Sequence, residues 1–170
     1  GTDLIFLATY EGMAIKFQED DVRAMGRPAA GVLSMRLDAG DYIIGMEVVT
    51  EESNMLSVSE LGYGKRTKIS EYRLQSRAGR GVINMKVTPK TGKVLAVLEV
   101  KEETDGILIT RDGKIIRTEA ESIRKTGRSA SGVKLVSMEA DDKVAAACTV
   151  LEAEGVAAET EDLQGDLPLQ

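Results

Sequence analysis

The sequence predicts an all-β, propeller-like fold built of four-stranded blades, with about three blades present. Three observations carry this. Paired glycines recur on a fixed period: Gly12, Gly62 and Gly113 each precede a second glycine (Gly31, Gly81, Gly132) by 19 residues, and the steps between copies are 50 and 51. Each copy holds about four short runs, apolar or alternating, separated by turn residues, as short strands are. Helical periodicity is poor throughout residues 1–150. Other positions keep the same period. An arginine stands four before each second glycine (Arg27, Arg77, Arg128), a base four after each first glycine (Lys16, Arg66, Arg117), and a valine directly after each second glycine (Val32, Val82, Val133). Repeats of this length with four strands read as blades that bury apolar faces against their neighbours.

The first blade spans about residues 3–54. Residues 4–9 and 13–17 are two short runs closed into a hairpin by Tyr10-Glu11-Gly12; residues 32–37 alternate as a half-buried strand does; residues 42–49 form the fourth strand. The second blade, about 55–105, repeats this with strands near 55–59, 65–69, 82–87 and 94–100. The third, about 106–150, has them at 107–110, 115–118, 133–138 and 144–150. Asp112-Gly113 is expected to form a tight hairpin turn with positive φ at both central positions. The polar stretches 18–30, 68–80 and 119–131 have room for a helical turn and no more. Three blades make an arc, so two flanks are expected to be covered by further blades, by a partner chain, or by dimerisation of the incomplete ring. Residues 151–170 carry six acids and no base, and read as a disordered acidic tail able to compete for a basic surface.

With 42% hydrophobic and 29% charged residues the composition is globular. Histidine is absent, which removes the usual general base, Ser-His triads and nearly all zinc sites. Asp20-Asp21 and Asp141-Asp142 read as solvated turn residues, and Gly62-Tyr63-Gly64-Lys65-Arg66-Thr67 lacks the spacing of a phosphate-binding loop. The single cysteine, Cys148, reads as a small buried hydrophobe and fits a reducing compartment. No apolar run approaches the roughly 18 residues needed to span a bilayer. No secretory leader opens the chain, and its start at Gly1 fits a piece of something longer. No catalytic site, metal or cofactor is expected.

The net charge of −6 conceals a distribution: −6 in the first blade, +4 in the second, +2 in the third and −6 in the tail. The bases crowd between the paired glycines. They are Lys16, Arg23 and Arg27; Lys65, Arg66, Lys68, Arg73, Arg77 and Arg80; and Lys114, Arg117, Arg124, Lys125 and Arg128. Equivalent positions on successive blades form a band, which suits a bent polyanion. Aromatics are only 4%, so phosphate contact to duplex is expected, with no stacking on bases.

These residues also carry a resemblance. Gly62-Tyr63-Gly64-Lys65-Arg66-Thr67 with Glu71-Tyr72-Arg73-Leu74-Gln75-Ser76-Arg77-Ala78-Gly79-Arg80-Gly81-Val82-Ile83-Asn84 is similar to a penultimate blade of the DNA gyrase A C-terminal domain, a β-pinwheel that wraps DNA. Gly113-Lys114-Ile115-Ile116-Arg117 with Thr126-Gly127-Arg128-Ser129-Ala130-Ser131-Gly132-Val133 resembles the last blade, and Met25-Gly26-Arg27 with Ala30-Gly31-Val32 the blade before both. The likeness covers residues 3 to about 150. It implies a non-catalytic part of a bacterial type II DNA topoisomerase that binds and bends double-stranded DNA along the basic rim and supports negative supercoiling. It also implies a cytoplasmic, nucleoid-associated setting, with the gyrase A N-terminal region and the gyrase B protein as partners. ATP and magnesium would be used by other regions. The family's nucleophilic tyrosine also lies elsewhere, so Tyr10, Tyr42, Tyr63 and Tyr72 inherit no such role. Gln75-Ser76-Arg77-Ala78-Gly79-Arg80-Gly81 is a relative of the family's wrapping box with Ala-Gly-Arg in place of Gly-Gly-Lys. The alternatives are the corresponding domain of topoisomerase IV and a propeller that docks a protein.

Overall fold

The computed structural model describes residues 2–101, 104–139 and 141–151. The expected tail falls outside these residues, apart from Leu151, which ends the last strand. The fold is all-β. The strands are β1 (Leu4–Thr9), β2 (Met13–Gln18), β3 (Ile43–Val49), β4 (Asn54–Ser59), β5 (Tyr63–Lys68), β6 (Val82–Ile83), β7 (Val94–Val100), β8 (Thr104–Thr110), β9 (Ile115–Glu119), β10 (Val133–Lys134) and β11 (Val144–Leu151). No helix among the described residues is long and apolar enough to cross a membrane. The polar stretches each hold one 3-10 turn, at Glu19–Asp21, Ile69–Glu71 and Ala120–Ser122.

Three antiparallel sheets form, ordered β3-β1-β2-β6, β10-β5-β4-β7 and β11-β8-β9. The repeats are therefore not self-contained blades. The short third strand of each later repeat crosses to the preceding sheet. Ala14 pairs with Val82, and Gly64 with Val133. In the first repeat, residues 32–37 form no strand, only an isolated bridge between Met35 and Gly79. A strand needs a partner edge, and the edges that β6 and β10 fill by repeat equivalence belong to the first and second sheets, so this segment has no equivalent edge among the described residues. The third sheet has three strands among the described residues.

The three hairpins share one turn. Gly12, Gly62 and Gly113 donate their N–H groups to the carbonyls of Thr9, Ser59 and Thr110 at 3.0, 3.1 and 3.0 Å. Of Asp112-Gly113 only the glycine takes positive φ, at 83°. The expected tight two-residue turn is thus replaced by a longer one closed by a left-handed glycine.

Each hairpin receives the following repeat. The carbonyl of Gly12 accepts the N–H groups of Asn84 and Met85 at 2.8 and 3.1 Å; that of Gly62 accepts those of Leu135 and Val136 at 2.8 and 3.3 Å. The Lys16 carbonyl accepts from Gln75 at 2.9 Å and the Arg66 carbonyl from Thr126 at 2.8 Å. Behind these bonds lie two inter-sheet cores. Leu4, Phe6, Ala8, Ala14 and Val49 meet Met55, Ile69, Tyr72, Met85, Val94 and Val97 in the first. In the second, Leu56, Val58 and Val100 meet Leu108, Ala120, Ile123 and Val144. Burying each large side chain is worth about 1.5–3 kcal/mol. Phe6 packs edge-on to Tyr72, ring centroids 4.9 Å apart, and the Tyr72 hydroxyl donates to Asn84 Oδ1 at 2.6 Å. That burial pushes the Tyr72 phenol well above its ordinary pKa.

The close approach at the crossing strands needs glycine. A Cβ on Gly81 would meet the Ala14 carbonyl oxygen at 2.3 Å, and one on Gly132 the Gly64 oxygen at 2.6 Å, whereas at Gly31 nothing lies within 4 Å. All three have positive φ, of 76°, 83° and 86°. The expected outcome in urea unfolding is that Gly31→Ala loses only the left-handed backbone cost, about 1–2 kcal/mol. Gly81→Ala and Gly132→Ala each lose at least about twice that, because backbone must also move. Equal losses at all three positions would contradict this strand placement.

Candidate nucleic-acid interface

The bases singled out from sequence divide into an inward and an outward set. Strand register explains the inward set. Lys16 lies opposite Phe6, and Arg66 opposite Leu56. Directly opposite residues share a face, so both side chains enter the space between sheets. Lys16 is 2% exposed, and its ammonium donates to Glu51 Oε1 at 2.6 Å and the Ile69 carbonyl at 3.2 Å. Arg66 is buried and donates to the carbonyls of Ile123 at 2.7 Å and Glu121 at 2.6 Å. Each therefore clasps the 3-10 turn region of the following repeat. Lys65 is fully buried and donates to Thr67 Oγ1 at 3.0 Å and to the carbonyls of Gly127 and Arg128 at 2.9 and 2.8 Å. Burial withdraws Lys16, Lys65 and Arg66 from any surface a polyanion would touch.

Arg77 and Arg128 are half-buried and serve both sides. Arg77 donates to the carbonyls of Asp21 and Leu33 at 2.8 and 3.0 Å; Arg128 donates to that of Ile83 at 3.1 Å. Each thus reaches the crossing segment of the repeat before it. Arg23, Arg27, Lys68, Arg73, Arg80, Arg124 and Lys125 are exposed. Lys114 pairs with Glu139, and Arg117 with Asp105 at 2.5 Å. Arg80 and Asp38 lie 3.4 Å apart with both side chains 79% exposed, a contact worth little in water.

Two further bases belong to the outward set. Arg36 and Lys86 stand five residues after Gly31 and Gly81 and are exposed. Reading the period forward from the second glycine, as well as backward, would have found them. Their backbone places them beside the next basic loop: the Arg36 N–H donates to the Gly79 carbonyl at 2.9 Å, and the Lys86 N–H to the Ala130 carbonyl at 3.2 Å. The crossing segments thus abut in sequence order. Lys68 and Lys125 share a separate small groove of about 230 Å³ with Lys101.

Among the described residues no group of three or more carboxylates or thiols is placed to hold a metal. Asp142, expected in a solvated turn, is buried. Burial pushes its carboxyl up, but hydrogen bonds from Thr110 and from the N–H groups of Lys143 and Asp112 outweigh this and hold it below the usual range. It ties a loop back onto the third hairpin. Cys148, expected buried, is exposed, because the outer face of the third sheet carries no further sheet among the described residues.

Lys65 supplies a measurable signature. Burial pushes its ammonium down to about 8 from 10.5, against the upward pull of Glu71 and with Arg128 adding to the drop. Between those values the unfolded chain holds a proton that the folded chain has released, so stability rises with pH there. Lys65→Met removes the titrating group. The unfolding free energy of wild type minus that of the variant is expected to grow from pH 8 to pH 10.5, as read by urea titration. A flat difference would mean that Lys65 keeps an ordinary pKa.

The comparisons agree with this geometry. The family model described as DNA gyrase C-terminal domain, beta-propeller, matches residues 3–50, 53–101 and 107–148. The DNA gyrase A protein of Helicobacter pylori is 47% identical over 135 residues, covering 78% of this chain and 16% of that protein. That of Campylobacter fetus is 46% identical over 146 residues, covering 85% and 17%. The chain therefore spans about a sixth of these relatives. Among solved structures, a C-terminal domain of DNA topoisomerase IV matches with a TM-score of 0.84 at 26% identity, over 89% of this chain and 47% of that one. A DNA gyrase A C-terminal domain matches at 0.82 and 28% identity, over 88% and 51%. The three glycine-paired repeats, their exchanged strands and these matches lead to one conclusion: the chain belongs to the DNA gyrase C-terminal domain, beta-propeller family.

Proposed function

We propose that this chain is a non-catalytic DNA-binding element of a bacterial DNA gyrase A protein, which holds duplex against its exposed bases and bends it in support of negative supercoiling. The observation that carries this is the abutment of the crossing segments: Arg36 sits against the loop of Arg80, and Lys86 against the loop of Arg128. Arg23, Arg73 and Arg124 hold one repeat position and Arg27 another, and they continue the same band by repeat equivalence. The mechanism is electrostatic. Smooth bending of some 20–30 base pairs by 40–90° costs on the order of 1–6 kcal/mol. Phosphate contacts with release of counterions offset it. The inward bases hold the repeats in a fixed relation, so the outward charges keep their spacing. The acidic run of residues 152–170 competes for the same band. In the parent enzyme, the gyrase B protein and the remainder of gyrase A supply strand passage, with ATP and magnesium bound there, in a cytoplasmic, nucleoid-associated setting.

The test is binding to a duplex of about 150 base pairs across a salt series, for the whole chain, a chain ending at Leu151, and a variant with Arg36, Arg73, Arg80, Lys86 and Arg124 replaced by Gln. Affinity is expected to fall steeply with salt and to rise when the acidic run is removed. The variant should bind more weakly to every sequence, its salt slope reduced by about 0.9 for each phosphate that is no longer neutralised. Binding by the variant equal to that of the parent chain would remove the band from the mechanism.

A further inference from the structure

The groove that Lys68 and Lys125 share with Lys101 lies at the joint between the second sheet and the third repeat. Its walls come from residues 50–54, from the end of β5, from the residue after β7 and from the polar stretch of the third repeat. Asn54 and Lys68 are partners in register, two residues along from Leu56 and Arg66, and so lie on the face from which Arg66 reaches the third repeat. Arg66 bridges to Lys125, and Lys101 follows Val100, the other register partner of Asn54. Register and bridges place Leu4, Gln18, Thr50 and Leu74 at the corresponding positions of the joint before it. The repeat therefore folds without lysines or a buried amide there, and their presence in one joint asks for another reason.

Two features of the groove point to a ligand. Lys68, Lys101 and Lys125 are exposed, and among the described residues no ion pair or hydrogen bond engages their ammonium groups. Asn54 is 5% exposed, and its buried Oδ1 meets no donor. A buried acceptor left without a donor is costly. Glu52 also lines the groove and is exposed, so three ammonium groups stand against one carboxylate. An occupant that suits both features is a small anion that accepts from cations and also carries one O–H to donate.

We propose that this groove of about 230 Å³ is a binding site for free inorganic phosphate, in which the three ammonium groups donate to phosphate oxygens and Asn54 Oδ1 accepts the P–OH. Inorganic phosphate keeps an O–H in both forms present at pH 7. Sulfate has the same shape and charge but no O–H. A phosphodiester in a nucleic-acid backbone has none either, and a phosphomonoester, with a second pKa of about 6, has mostly lost its own. The buried acceptor therefore selects free phosphate, as the lysines alone would not. The site goes beyond duplex binding and is separate from the band of Arg36, Arg80 and Lys86.

Nuclear magnetic resonance of the whole chain at pH 7, titrated with sodium phosphate, sodium sulfate, dimethyl phosphate or sodium chloride at matched ionic strength, tests this. The side-chain amide of Asn54 and the backbone amides of Lys68, Lys101 and Lys125 are expected to shift and saturate with phosphate. Sulfate should bind at least about tenfold more weakly, and dimethyl phosphate should not saturate. Lys68→Met and Lys125→Met, both at exposed positions, should each weaken phosphate binding by a similar factor. Asn54→Leu installs the residue that the first repeat has there and should bring phosphate and sulfate to equal affinity. Shifts that follow ionic strength alone, whichever salt is used, would overturn the proposal. So would equal affinity of the unaltered chain for phosphate and sulfate. Displacement of phosphate by duplex DNA, together with weaker duplex binding by Lys68→Met, would also overturn it by assigning the lysines to a backbone phosphate. The salt titrations need no duplex, so the groove stands or falls apart from the basic band.

Discussion

Among the described residues no repeat completes its own sheet, and the rest of the structure depends on that constraint. The second strand of one repeat carries an edge that only a short segment of the next repeat can fill. Filling it brings that segment's N–H groups to the hairpin carbonyl of Gly12 or Gly62 and sets the next apolar face against Phe6 or Leu56. Backbone pairing and core packing are therefore made in the same step. A sliding error of one residue would turn the interface side chains to the opposite face and lose both together.

Buried positive charge is the second device of the inter-repeat joint. Isolated ammonium and guanidinium groups are costly to bury, and the cost falls when every donor meets an acceptor. Lys16, Lys65 and Arg66 meet mostly main-chain carbonyls. Those carbonyls sit in turns and loops, where no strand partner would satisfy them. The cations thereby fix irregular segments that apolar packing alone would leave loosely defined. The loop holding Arg128 is fixed from beneath by Lys65, and the outward display of charge rests on the inward one.

Much of this is legible in the sequence. The glycine period locates all three repeats, the hairpins at Gly12, Gly62 and Gly113, and the single helical turn in each polar stretch. The destination of residues 82–83 and 133–134 is not legible. An alternating run has the same pattern whether it pairs within its own repeat or with the preceding one, because side-chain alternation records the face and not the partner. Lys16 and Arg66 mislead for another reason. Residue type suggests solvent, while strand alternation from the hairpin places them on the faces of Phe6 and Leu56. The alternation is the better guide. Cys148 misleads in the opposite sense: its apolar surroundings are real, but the sheet face they form carries no partner among the described residues. The membership of the band is only partly visible, since Arg36 and Lys86 lie outside the interval between paired glycines.

The crossing strands also put the unit that is copied in sequence out of phase with the unit that folds. During vectorial synthesis the first sheet stays open-edged after β3 at Val49 and waits until Val82–Ile83 emerges. By then the hairpin of the second sheet, β4 and β5, has already emerged, and that sheet in turn waits for Val133–Lys134. Folding is thus carried forward as a relay, with each sheet finished by a short strand from the repeat that builds the next. A gene duplication that adds one whole period inherits this overlap intact, because the new copy receives a strand from its successor and gives one to its predecessor. Insertion at a sheet boundary would instead leave a donor without an acceptor. The array can therefore lengthen or shorten only in whole periods of the glycine register.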